Sequence, residues 1–164
     1  AYGVGPDKIA SQIGCSLPEA KNLLSDFLDK FPSVWRYKKQ VVAESRRNDP
    51  IPFAQTLLKR RRYLPELRSS DPFLRSRAER QAFNTVIQGS AADLIKLAMV
   101  RAYSMIPEEA ELILTVHDEL VTVCPTNMAE ETSEAIRESM EGIKALSIPM
   151  IADVRVVTRW GEAK

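Results

Sequence analysis

The run LILTVHDELVTVCP at 112–125 places a histidine and two acids among strand-forming residues. Strand interiors disfavour Asp and Glu, and an unpaired charge on a half-buried sheet is costly. His117, Asp118 and Glu119 therefore form either a solvent-facing turn between two strands or a functional site. Because neighbouring strand residues point to opposite faces, the two acids face one site only if a hairpin tip rotates one of them.

Such a turn would best suit metal-assisted phosphoryl transfer, in which carboxylates hold two divalent ions about 4 Å apart. Asp118 is the metal-ligand candidate of this turn. One turn cannot complete the site, and Asp153 in the last predicted strand is the only internal contender for a second carboxylate. The alternatives are a pair of acids that serves solubility and a histidine at position 117 that is structural.

A polar ladder is predicted on one helix face, where Arg80, Asn84 and Gln88 are four residues apart and Arg77 lies one turn earlier. These side chains can donate to the acceptors that every base pair shows in the minor groove. The alternative is an ordinary solvent-exposed helix face. The small residues GSAA at 89–92 predict close approach by a neighbouring element.

The segment Lys59–Arg80 contains eight basic and three acidic residues. This local excess of positive charge predicts contact with a polyanion, and Arg61 and Arg62 are the candidates for phosphate contacts. Eleven acids lie within 106–153, and most of them have the spacing of a solvated helix face.

Caps, turns and periodicity predict the order of the elements. Ser16 and Glu19 form a capping-box pattern, and Asp71 with Pro72 marks the start of the longest helix. The predicted elements are helices over 16–31, 33–47 and 72–106, a hairpin within 53–67, a strand, turn and strand over 111–124, a helix over about 127–145, and a strand over 149–158. Antiparallel strands covered by helices on one side, with a helical lobe in front, give an α+β fold.

The 164 residues, 45% hydrophobic and 27% charged, suit one globular core with a possible smaller lobe. No apolar run approaches the roughly 20 residues of a membrane span, which disfavours a membrane protein. Cys15 and Cys124 form no disulfide or metal pattern, which favours a reducing compartment. Since residue 1 is Ala, without an initiator Met or a signal segment, we expect a fragment of a longer protein.

Three motifs occur in the order RRRYLPEL at 60–67, AERQAFNTVIQGSAADLIK at 78–96 and VHDEL at 116–120. In this order and spacing they resemble the C-terminal polymerase region of the bacterial and phage DNA polymerase I family (family A). The resemblance covers essentially the whole chain, from AYGVGPDKIA at the start to RWGEAK at the end.

The resemblance implies roles for individual residues. His117, Asp118 and Glu119 would be the catalytic turn that the family calls motif C, with Asp118 a metal ligand and Glu119 a supporting acid near the primer terminus. The polar ladder falls on family positions that contact primer and template in the minor groove. This agrees with the donor argument made from the residues themselves.

The resemblance also implies the setting. We expect a template-directed DNA polymerase that uses two Mg²⁺ ions, acts on primer-template DNA and deoxynucleoside triphosphates, and works in the cytoplasm of a bacterium or of a phage's host. Residues 1–50 would be the remainder of the fingers and 51–164 the palm. The family's other catalytic Asp and its nucleotide-binding helix would lie before residue 1, in the upstream part of the same polymerase.

Two positions depart from the family pattern. The family usually has Gln where this chain has Thr115, and Gly in the turn where this chain has Lys59. Contacts at 115 are therefore not carried over, and the hairpin around 58–60 is expected to be shaped differently. Two other functions stay open at this stage, a non-catalytic duplex-binding module and a metal-dependent nuclease.

Overall fold

The computed structural model describes residues 5–162, and the chain groups into two compact units, Ala1–Ser90 and Ala91–Lys164. Helices and two small antiparallel sheets build these units, which confirms the predicted α+β class. The sequence-based division at residue 50 stays a prediction. None of the helices within residues 5–162 is both long enough and apolar enough to span a membrane.

Three helices begin the first unit: α1 (Pro6–Ile13), α2 (Leu17–Lys30) and α3 (Pro32–Arg47). The capping box predicted before α2 is present, because the Ser16 backbone N–H donates to Glu19 Oε2 at 2.8 Å and the Glu19 N–H donates back to Ser16 Oγ. Hydrogen bonds from the Ser16 side chain and backbone lower the pKa of Glu19. The predicted helices over 16–31 and 33–47 are thus confirmed.

The end of α3 is held by an arginine from the basic segment. Arg68 donates to the carbonyl oxygens of Arg46 at 3.3 Å and Asn48 at 3.0 Å. A cation is favourable at a helix C-terminus, where carbonyls lack helical partners. Arg68, one of the eight basic residues of Lys59–Arg80, therefore has a structural role at the end of α3.

The predicted hairpin is confirmed as β1 (Phe53–Gln55) paired antiparallel with β2 (Arg61–Tyr63). In its loop, the Lys59 N–H donates to the Thr56 carbonyl at 3.0 Å and the Thr56 N–H donates to the Arg60 carbonyl at 2.9 Å. Lys59 has a φ of 68°. This is a three-residue loop in which a tight turn is followed by a left-handed residue, a position that favours glycine.

We expect Lys59→Gly to raise the free energy of unfolding by about 0.5–1 kcal/mol. Relief of the left-handed strain, about 1–2 kcal/mol, exceeds the roughly 0.5–1 kcal/mol of extra chain entropy that glycine loses on folding. Urea denaturation measures the difference, with Lys59→Ala as the matched control because it removes the charge but keeps Cβ. Equal stability of the two variants would contradict the strain argument.

The predicted long helix is present as three consecutive helical segments, α4 (Pro72–Asn84), a π-helix (Thr85–Gly89) and α5 (Ser90–Met105). Asp71 caps the start, as predicted, by accepting from the Phe73 N–H at 2.8 Å. The sequence analysis did not foresee the π-helix. The core of the first unit lies where the hairpin meets α4 and consists of Ala54, Leu64, Leu67, Ala78 and Ala82, with Val42 packed against it.

The second unit contains β3 (Glu111–Val116), β4 (Glu119–Val123) and α6 (Ala129–Glu141). Arg101 donates to the carbonyls of Ser139 at 3.1 Å and Glu138 at 3.4 Å, and so satisfies the end of α6. This helix ends earlier than the predicted residue 145. The core consists of Leu94, Ala98 and Ile143, against which Ile95, Leu120, Met140, Ala145 and Met150 pack.

The predicted last strand over 149–158 is wrong, because the structure has no strand there. Its apolar alternation matches a strand, yet a strand also needs a hydrogen-bonded neighbour. Within residues 5–162 each sheet has only two strands, β1 with β2 and β3 with β4. Ile151 is accordingly 86% exposed and Val156 65% exposed.

Candidate active site and nucleic-acid interface

The predicted acidic turn is a hairpin tip. Val116 pairs with Glu119 as the last rung between β3 and β4, which leaves His117 and Asp118 as a two-residue loop. All three candidates, His117, Asp118 and Glu119, are exposed. The solvent-facing turn is thus confirmed, while the role of its side chains is not decided by exposure alone.

The backbone of His117 is strained, with a φ of 55°. Two-residue hairpin loops require a positive φ at their first position, which glycine supplies most easily. Histidine, Asn and Asp are enriched among the few other residues that adopt it. Keeping a non-glycine residue there costs conformational energy, and strain of this kind concentrates at functional sites. The backbone conformation therefore favours a functional role for this turn over a turn whose acids only aid solubility.

Strand pairing determines which face of the hairpin carries the acid. The register shifts between Leu112 and Leu114, so a bulge lies at Ile113. Cross-strand partners share a face, and Thr115 pairs with Leu120, whose side chain packs on the core of the second unit. Glu119 precedes Leu120 and points to the opposite face. The hairpin therefore presents Glu119 away from the core that supports it.

The acids of the turn have the chemistry of magnesium ligands. Magnesium is commonly bound through one or two carboxylates together with substrate phosphates, so the exposed carboxylates of Asp118 and Glu119 fit this donor set. Within residues 5–162, no group of three or more His, Cys, Asp or Glu residues is arranged to hold a metal ion. Asp153 accepts a hydrogen bond from Arg155 at 3.3 Å.

The polar ladder lies partly on α4 and partly on the π-helix. Arg77 is exposed, while Arg80 and Asn84 are half-buried, and Arg80 donates to Ser76 Oγ at 2.9 Å. Gln88 is exposed within Thr85–Gly89. Because a π-helix has wider turns than an α-helix, four-residue spacing no longer fixes the direction of Gln88 relative to Asn84. Single-turn π segments are frequent at functional sites.

The loop of the basic hairpin is bonded to the end of the π-helix. Ser90 Oγ accepts from the Leu57 N–H at 2.8 Å and donates to the Val86 carbonyl. Arg60 donates to the Gly89 carbonyl at 3.2 Å. We call this set of contacts the hairpin clamp. It ties the loop of one element to the segment that carries Gln88.

Gly89 makes the hairpin clamp possible. A Cβ added at Gly89 would lie 2.7 Å from Thr56 Cγ2, closer than real Cβ atoms approach other atoms. This confirms the close approach that the small residues at 89–92 predict. The small residues indicate that a neighbour comes close, but they do not indicate which one. Thr56 and Ser90 were therefore not predicted from the sequence as positioning residues.

The remaining basic residues of the segment divide into two groups. Arg75 donates to the Ser69 carbonyl at 2.9 Å, and the Arg61 guanidinium lies 4.6 Å from the centre of the Phe53 ring. The Arg62 side chain is exposed and makes no hydrogen bond or ion pair within residues 5–162. The charge available to a polyanion therefore lies mainly on the hairpin and on the exposed side of α4.

Comparisons with known proteins agree on one family. The family model for DNA polymerase family A matches residues 1–162. The chain is 37% identical to the thermostable DNA polymerase I of Thermus filiformis over 164 residues and 38% identical to DNA polymerase I of Bacillus caldotenax over 166 residues. Each alignment covers 99% of this chain and 19% of the relative, so the chain spans about a fifth of the length of these curated relatives.

A solved structure agrees with the sequence comparisons. It is described as the POL domain of Pol1 from M. smegmatis in complex with DNA primer-template and dNTP, and it matches with a TM-score of 0.82 and 38% identity. The match covers 90% of this chain and 26% of that one. The resemblance inferred from the three motifs is thus confirmed, and the chain belongs to DNA polymerase family A.

Proposed function

We propose that this chain is part of a template-directed DNA polymerase that transfers nucleotides to a primer 3′ end. The observation that carries the proposal is the strained, exposed hairpin tip at His117 and Asp118, which has acids at two consecutive positions, Asp118 and Glu119, in a chain of this family. A binding module has little use for adjacent acids beside a polyanion. The complex of the M. smegmatis relative with primer-template and dNTP supports these as partners.

In this proposal Asp118 holds divalent metal and Glu119 supports the site near the primer terminus. Two Mg²⁺ ions would neutralise phosphate charge and stabilise the attacking and leaving oxygens of an in-line displacement. The exposed tip lets substrate phosphates complete the coordination that Asp118 begins. Further carboxylates and the nucleotide-binding helix would come from the upstream part of the polymerase, which works in the cytoplasm.

The first unit would hold the primer-template. Arg80, Asn84 and Gln88 would donate to minor-groove acceptors, which occur in every base pair and so suit an enzyme that must accept any sequence. Arg61, Arg62 and Arg77 would contact phosphates. Under this proposal 1–50 completes the fingers and 51–164 forms the palm.

We expect Gln88→Ala in the complete polymerase to slow primer extension about 5- to 100-fold, because loss of a buried hydrogen bond costs about 1–3 kcal/mol. The measurement compares the variant with the wild type on matched primers that carry or lack the minor-groove acceptor atom. Removing the acceptor should slow the wild type and leave Gln88→Ala unchanged at one primer position. If removal of the acceptor slows both proteins equally at every primer position, Gln88 does not contact the minor groove and is an ordinary exposed residue.

Arg62→Ala is the matched control, because it removes a charge outside the polar ladder. It should flatten the slope of log affinity against log salt by about one unit, as expected for one phosphate contact. Gln88→Ala should leave that slope unchanged. In the same assay, primers that shorten when nucleotides are present would favour a metal-dependent nuclease, and primers that are bound but never altered would favour a non-catalytic duplex-binding module.

A further inference from the structure

An exposed tryptophan on α3 lies between two lysines. Trp35 is 39% exposed, and the Nζ atoms of Lys38 and Lys39 lie 5.1 and 5.3 Å from the centre of its ring. These distances are within the range of cation–π attraction. Neither the acidic turn nor the polar ladder includes any of the three. We call this group the aromatic–lysine patch.

The surroundings of the patch are positively charged. From Lys30 to Ala43 inclusive, the sequence has four basic residues, two of them in the patch, and no acidic one. Phe27 and Phe31 lie on the same helix pair, with ring centres 5.1 Å apart and exposed fractions of 36% and 47%. Exposed aromatic side chains among cations match the chemistry of single-stranded nucleic acid, because bases stack on rings while ammonium groups pair with phosphates.

The patch lies next to the polar ladder. Burial is the largest cause of the lowered pKa of Lys38, and Arg80 acts in the same direction, while Glu79 opposes both. Lys38 is therefore near Arg80, the start of the ladder. The helices α3 and α4 also meet through Tyr37 and Phe83, whose rings pack edge to face at 6.3 Å. The patch and the polar ladder therefore lie on two helices that pack against each other.

We propose that Trp35, Lys38 and Lys39 bind unpaired nucleotides of a DNA strand, with one base stacked on the indole ring and the two ammonium groups on the flanking phosphates. The inference rests on the proposed function, since it assigns the patch to the single-stranded template beyond the duplex.

The test uses the complete polymerase and two fluorescent probes, a primer-template with a 5′ template overhang of about 12 nucleotides and a blunt duplex of the same sequence. Trp35→Ala should weaken binding to the overhang probe about tenfold and leave the blunt duplex unchanged. Trp35→Phe should recover most of the loss because a ring remains. The matched control is Tyr103→Ala, which removes an aromatic side chain that is 81% exposed and lies outside the patch.

Charge is tested separately. The double variant Lys38→Gln and Lys39→Gln should flatten the salt dependence of overhang binding by about 1.4 units, the value for two contacts to a single strand. Equal effects of Trp35→Ala on both probes, or none on either, would overturn the proposal. Unchanged DNA binding with a lowered Tm would show that the ring packs against another part of the protein.

The two proposals fail in distinguishable ways. If the wild type extends primers but Trp35→Ala binds the overhang normally, only the patch assignment fails. If the wild type binds the overhang through Trp35 but extends no primer under any metal condition, the polymerase proposal fails, and the patch remains a single-strand binding site.

Discussion

We expect Asp118→Ala in the complete polymerase to lower nucleotide addition at least a hundredfold while leaving primer-template affinity within about threefold of the wild type. A metal clamp supplies several kcal/mol of transition-state stabilisation, and a hundredfold loss corresponds to about 2.7 kcal/mol. Affinity should change little, because Asp118 would hold metal rather than DNA. Asp118 also lies at an exposed tip, so its side chain contributes little packing that alanine would remove.

Single-turnover extension and equilibrium DNA binding measure the two quantities separately. Asp118→Asn is the companion variant, since it keeps the shape of the turn and removes only the charge. Glu111→Gln is the matched control, because Glu111 is an exposed acid at the opposite end of the same hairpin, where it pairs with Val123. A variant at Asp118 that retains more than a tenth of wild-type turnover would remove this residue from the catalytic role.

Local signals in the sequence were sufficient for most elements. Ser16 and Glu19 cap α2 through hydrogen bonds between residues three apart, and Asp71 caps α4 through a neighbour two residues away. Caps of this kind depend on little beyond their own turn, so sequence reasoning finds them. The turn at His117 was found for a similar reason, because charged residues interrupt a run of strand-forming ones.

The failed strand over 149–158 shows where local reasoning ends. Alternation describes which side chains share a face, whereas a strand exists only with a hydrogen-bonded neighbour, and the sequence of one segment does not specify that neighbour. The π-helix at Thr85–Gly89 was missed because one extra residue per turn leaves no compositional mark. The role of Ser90 depends on the Leu57 N–H, which donates to Ser90 Oγ from 33 residues away in the chain, so the residues around Ser90 do not indicate it.

Lys59 lies between these cases. The departure from the family's glycine was visible in the sequence, and a differently shaped hairpin was expected. In the structure Lys59 itself has the left-handed conformation that glycine adopts most easily, at a φ of 68°. The expected difference in hairpin shape stays a prediction. Backbone hydrogen bonds of Thr56 with Lys59 and Arg60 set the geometry of this loop. The backbone of Lys59 is held in the left-handed conformation as a result. A residue type therefore predicts preference, while the surrounding hydrogen bonds decide the conformation.

We expect Gly89→Ala to slow primer extension by about 10- to 100-fold, because the substitution disturbs the hairpin clamp. The added Cβ would meet Thr56 Cγ2 at 2.7 Å. Relief requires either a shift of the hairpin loop away from the π-helix or a new Thr56 rotamer that breaks the bond from the Arg60 N–H to Thr56 Oγ1. Gln88 precedes Gly89 and would move with it, and a misplacement of about 1 Å can cost on the order of a hundredfold in rate. Stability should fall less, because alanine is favoured over glycine in a helix by about 1 kcal/mol.

A double variant, Gly89→Ala with Thr56→Ser, tests whether contact with Thr56 causes the slowing. Serine lacks Cγ2 but keeps the hydroxyl that accepts from the Arg60 N–H at 3.1 Å, so the loop retains that bond while the collision disappears. The other atoms near the added Cβ lie at 3.7 and 4.0 Å, which is ordinary contact. The double variant should therefore regain most of the extension rate that Gly89→Ala loses, with Thr56→Ser alone close to the wild type. If the double variant stays as slow as Gly89→Ala, contact with Thr56 is not what positions Gln88, and the role of the clamp in extension is refuted.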